Sequence, residues 1–109
     1  MTNTADLPSS VQAFVDATNA GDTEAFLQAF SADPYLNDWG REFSGRDGVA
    51  SWNQTDNIGV RSHFEVQGVR VEDGAYVVTM KVSGAGFNGT GPMAFTLDDA
   101  GKIDRLMIS

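Results

Sequence analysis

One change of period divides this sequence and constrains its fold more than any single motif. In the first half, apolar residues recur every three or four positions; in the second they recur every second position. Val11, Phe14, Val15 and Thr18 share one face of a helix of about three turns, which Gly21 ends. Asp22 suits the N-cap of a second helix, with Phe26, Leu27 and Phe30 on its apolar side. Later, Tyr76, Val78, Met80 and Val82 alternate with Val77, Thr79, Lys81 and Ser83, and Met93, Phe95 and Leu97 alternate in turn. Helices followed by an antiparallel meander predict an α+β fold, with the helices on one face of a curved sheet.

Local signals refine the order. Ser9 and Gln12 have capping-box spacing, and Pro8 suits a first helical turn. Pro34 forbids helix and pushes Asp33 into extended geometry. Residues 35–38 and 42–43 are short enough for edge strands, joined by a turn at Trp39, Gly40 and Arg41. Ser44 and Asp47 bracket a third helix start, with Val49 and Trp52 on its buried side, and that helix fades through Asn53, Thr55 and Asp56. The alternation of residues 63–71 slips phase at Gly68, as a β-bulge requires. Asp73-Gly74 signals a hairpin, residues 84–91 a flexible connector, and 98–102 the turn before a closing strand over 103–108. The expectation is a single domain over 1–109, with a frayed polar tail at 1–6.

Composition excludes several classes. The 109 residues contain no cysteine and one histidine, which leaves no disulfide, no thiol nucleophile and no His-rich metal site. A net charge of −8 repels nucleic acid and anionic membrane surfaces. No apolar run is long enough to span a bilayer, and the N-terminus lacks a basic-then-apolar signal, so the expected location is cytoplasmic.

Three stretches together carry a resemblance: AGDTEAF in the first helix–turn–helix, NDWGREFSGRDGV after it, and the closing FTLDDAGKIDRL. In their order and spacing the chain resembles the nuclear transport factor 2-like superfamily, in particular its SnoaL-like and ketosteroid-isomerase-like members. The resemblance implies a cone-shaped fold. Three N-terminal helices pack on a curved, mostly antiparallel sheet that encloses an apolar pocket, commonly in a homodimer joined through the sheet. It implies no cofactor, and as partner a small apolar or aromatic metabolite. Members include isomerases, cyclases, dehydratases and proteins that only bind or assemble.

Asp38 is the first candidate for chemistry. It shares a face with Leu36, and in the isomerase-like members an aspartate at the matching point moves a proton between carbons. A carboxylate walled by apolar groups is desolvated and becomes a usable base near neutrality. Alternatively, Asp38 braces the Trp39-Gly40 turn through backbone hydrogen bonds. Arg41 or Arg46 could pair with Asp38, which would lower its pKa and remove it as a base, or could hold an anionic ligand, or pair at the surface with Glu42 or Asp47. His63 is a second acid–base candidate facing Asp38, or a structural residue at a strand end. Phe14, Trp39, Trp52, Tyr76, Met93 and Phe95 are candidate walls for a flat ligand. Phe14 and Met93 stand where the steroid isomerase has its tyrosine and its protonated acid. Neither side chain donates a hydrogen bond, and each missing donor costs about 3–4 kcal/mol of transition-state stabilisation. Two readings stay open: a cofactor-free isomerase, cyclase or dehydratase using Asp38, or a non-catalytic module that binds a ligand or assembles.

Overall fold

A computed structural model describes residues 6–109. The expected tail at 1–6 therefore lies, but for Asp6, outside the described residues. Helices α1 (Ser9–Ala20) and α2 (Thr23–Gln28) come first, followed by strands β1 (Phe30–Asp38) and β2 (Arg41–Ser44) and helix α3 (Gly45–Asp56). A 3-10 turn (Ile58–Val60) leads into β3 (His63–Glu72), β4 (Ala75–Ser83), β5 (Gly89–Leu97) and β6 (Ile103–Ile108). The fold is α+β, with one six-stranded sheet in the order β2-β1-β6-β5-β4-β3.

The helix ends follow their sequence signals in part. Gly21 closes α1 in the left-handed conformation at φ 71, where glycine carries no Cβ penalty. Asp22 caps α2, its Oδ1 accepting from the Ala25 N–H at 3.1 Å. The two capping boxes do not form. Pro8 holds the N-cap place of α1, and the Gln12 side chain donates instead to Asp16 Oδ1, one turn on. Ser44 precedes α3 without a side-chain cap bond.

The meander β3–β6 is antiparallel throughout. Its first hairpin turns at Asp73 and Gly74, both at positive φ (53 and 79), as a type I′ turn requires. The register of β3 against β4 jumps between Val66 and Gly68, the expected bulge.

β1 departs from the sequence reading. It begins at Phe30 and runs through Pro34, with an irregularity between Phe30 and Tyr35 that accommodates the proline. Arg46 Nη1 donates to the Phe30 and Ser31 carbonyls at 3.1 and 3.2 Å, so backbone acceptors at this irregularity are satisfied. Nor is β1 an edge strand. β6 returns beside it in parallel, pairing Tyr35 with Arg105 through to Asp38 with Ile108. Only β2 is the edge on that side.

The core gathers where α1 and α2 lie over the sheet. Phe14 is fully buried, with Phe95, Phe26, Phe64 and Phe30 ring centroids 5.2, 5.3, 5.4 and 6.0 Å away. Burying one such ring stabilises the fold by roughly 1.5–3 kcal/mol. Beneath α3, Asn53 and Asn57 form a buried polar pair joined to Thr18. No helix among the described residues is long and apolar enough to cross a membrane.

Candidate functional site

Asp38 ends β1 and pairs across the strands with Arg41, which begins β2. Trp39 and Gly40 between them both have positive φ (55 and 91), a tight two-residue hairpin. The turn is braced by Asn37, whose Oδ1 accepts from the Gly40 N–H at 2.8 Å, and by the Trp39 N–H bonded to the Ile108 carbonyl at 3.1 Å. Asp38 is thus not needed by the turn, and its side chain is engaged elsewhere.

Its Oδ2 accepts two hydrogen bonds, from Arg41 Nη2 at 2.7 Å and from the Trp52 indole Nε1 at 3.0 Å. No donor among the described residues is bonded to Oδ1. The same Arg41 donates to both oxygens of Asp56, at 3.0 and 3.4 Å. Helix α3 supplies these partners: Trp52 faces the core at 3 % exposure, and Asp56 sits one turn further along, in the last turn. The Asp56 carboxyl is pushed up by burial. The Thr55 hydroxyl and the Arg41 guanidinium outweigh that and hold it below the usual carboxylate range. Its bonds to Asp56 and Asp38 raise Arg41 correspondingly.

The Asp38–Arg41–Asp56 chain stands at a cavity of about 470 Å³, a size suited to a small organic molecule. Trp52 and Asn57 come from the end of α3, Phe64 and Met80 from the sheet, and Met93 and Ile108 from β5 and β6. Trp39, 72 % exposed, and Phe87 of the 84–88 loop also line it. Among the described residues no group of three or more His, Asp or Glu is disposed to hold a metal ion.

Of the residues singled out from sequence, the structure gathers Asp38, Trp39, Trp52 and Met93 around this cavity. Phe14, Tyr76 and Phe95 do not line it, which corrects the expectation of a wider aromatic wall. Phe14 lies one layer behind, stacked on Phe64. Tyr76 pairs with Phe95 at the far end of β4 and β5, where helices and rings fill the space. His63 is also corrected. It is exposed, beside the buried Phe64 on an alternating strand, and does not face Asp38. Arg41, not Arg46, pairs with Asp38, while Arg46 serves backbone carbonyls.

The reading from sequence missed Asp56, Asn57 and Phe64. Asp56, with Asn53 and Thr55, looked like the polar fade of a helix into a loop, and Asn57 was given no role. Asn57 is instead 1 % exposed, donating Nδ2 to Thr18 Oγ1 and Asn53 Oδ1, each at 3.0 Å. A signal was available in the spacing of Asn53 and Asn57, which places two amides on one face of α3.

The fold is similar to those of solved structures. A candidate polyketide cyclase of Sinorhizobium meliloti is 30 % identical, with a TM-score of 0.85 over 95 % of this chain and 96 % of that one. The Δ5-3-ketosteroid isomerase of a Mycobacterium species is 18 % identical, with a TM-score of 0.76 over 91 % of this chain and 88 % of that one. No curated protein matches the sequence. The profile of the SnoaL-like domain matches residues 11–106. With nearly the whole chain inside that profile, this protein belongs to the SnoaL-like domain family of the nuclear transport factor 2-like superfamily.

Proposed function

We propose that the chain binds a small, flat, apolar or aromatic molecule in this cavity and that Asp38 moves a proton on it. One observation carries the reading. Asp38 lies on the cavity wall with Oδ2 fixed by two donors and Oδ1 unengaged, beside Trp52 and Met93. A carboxylate held in one orientation at a cavity wall is placed to act as a general base through its open oxygen, while its arginine partner works against that role. Oδ1 takes a proton from carbon next to a carbonyl, and the bonding pair moves into the carbonyl to give an enolate. The proton then returns at another carbon, or the enolate carbon attacks a second carbonyl of the same molecule, whose π pair moves onto its oxygen and takes the proton back from Asp38. The cyclase and isomerase relatives support this reaction class.

The steroid isomerase's own pair of donors is not part of the proposal. Phe14 packs in the core and Met93 presents a thioether. Ser62 and Thr90, with Ser109, are the wall hydroxyls without side-chain partners among the described residues, and in this reading they supply the donors for the developing charge. A second copy docks on the outer face of the sheet in this reading, where Val77 pairs with Ala94 and with Arg70; sedimentation at a dimer's mass checks it.

The test uses 2-tetralone, an aromatic ketone with acidic α-hydrogens, in deuterated water. The wild-type protein accelerates deuterium uptake at the α-carbon. Asp38→Asn abolishes the acceleration while keeping affinity for the ketone by calorimetry. Equal uptake with both proteins overturns the role of Asp38. A second reading is favoured by the Arg41 pairing: a binding module in which Asp38–Arg41–Asp56 only braces the cavity mouth. Binding without any accelerated uptake selects that reading.

A further inference from the structure

The cavity wall has a sign. Its charged side chains are Asp38, Asp56 and Arg41, so two carboxylates stand against one guanidinium. The Arg41 guanidinium already donates from both Nη1 and Nη2 to these carboxylates, which leaves it little to offer a ligand anion. With its carboxyl held below the usual range, Asp56 carries its charge at neutral pH. The chain's net charge of −8 acts in the same direction.

On the wall itself, Asp38 Oδ1 is a carboxylate oxygen without a donor among the described residues. Around it Trp39, Trp52, Phe64 and Phe87 present aromatic rings, whose faces attract cations.

From this pattern we propose that the ligand is an apolar molecule bearing a protonated amine, seated with the ammonium at the Asp38 end of the cavity, and that anions of similar shape are rejected. The inference rests on the binding reading above, not on the proton transfer, since an ammonium at Oδ1 occupies the oxygen that acts as base, and it adds the charge of the ligand. An ammonium donates to Asp38 Oδ1 and offsets the wall's surplus negative charge, whereas a carboxylate meets Asp38 and Asp56 with Arg41 already paired to both.

Three probes of one shape test it by calorimetry on the whole chain: 2-naphthylmethylammonium, 2-naphthol and 2-naphthoate. The ammonium binds at least about tenfold more tightly than the carboxylate, the phenol falls between, and added salt narrows the gap. Asp56→Asn narrows it as well. Should that variant fail to fold, the wild-type series decides alone. Naphthoate binding as tightly as the ammonium overturns the charge inference and leaves the binding reading standing. Failure of all three to bind overturns both.

Discussion

Replacing Trp52 by Phe removes one hydrogen bond to Asp38 and little else of the local packing. The indole is 3 % exposed, and its N–H reaches Asp38 Oδ2 at 3.0 Å. A hydrogen bond to a charged group contributes about 1.5–3 kcal/mol, and the ring atoms lost with the indole about 1 kcal/mol more. Two effects reduce this. Arg41 Nη2 still holds the same oxygen at 2.7 Å, and at 16 % side-chain exposure water can reach the carboxylate. We expect a net loss of about 2 kcal/mol, which in a domain of this size lowers Tm by roughly 10 °C. Urea unfolding followed by circular dichroism measures it directly. The specific term comes from a double-mutant cycle with Asp38→Ala, which removes the acceptor, and the coupling should be about 1 kcal/mol. Coupling indistinguishable from zero would refute the claim that the indole fixes the carboxylate.

Further outcomes follow from the same structure. Phe14→Ala costs about 3–5 kcal/mol in the same unfolding assay, because the ring is fully buried among aromatic neighbours; a cost below about 1 kcal/mol would mean that it borders open space. Asp56 has a lowered folded value, so its contribution to stability is complete above the ordinary aspartate value near 3.8 and is lost as pH falls through the folded value. Asp56→Asn should flatten the acid limb of stability against pH, and an unchanged limb would contradict the pairing with Thr55 and Arg41. A Cβ at Gly59 would collide with the Gln54 carbonyl oxygen, so Gly59→Ala must displace the 3-10 turn from the end of α3; a thermal midpoint equal to wild type would show that contact to be absent.

What could be read from sequence was whatever leaves a local mark. Alternation, the slip at Gly68 and the Asp73-Gly74 turn each bear on neighbouring residues, and each appears in the structure where it was expected. The parallel pairing of β1 with β6 joins residues some seventy positions apart and leaves no local pattern. Pro34 hid the first half of β1, because proline usually punctuates a strand, and here the irregularity before Tyr35 absorbs it. At the site, alternation placed Asp38 on the inner side with Leu36. It could not tell which end of the sheet is hollow and which is filled. That distinction removed Phe14, Tyr76 and Phe95 from the wall and brought in Phe64. Between Arg41 and Arg46, cross-strand register decided, since only Arg41 stands opposite Asp38.

The central claim is that a flat apolar molecule enters the hollow beside Asp38, and the methionine methyl groups report on it. Met80 and Met93 line the cavity, whereas Met107 does not. Titration of methyl-labelled protein with 2-naphthol should shift the Met80 and Met93 signals together, in proportion to occupancy, and leave Met107 in place. Shifts confined to Met107, or none at all up to the solubility of the probe, would contradict it.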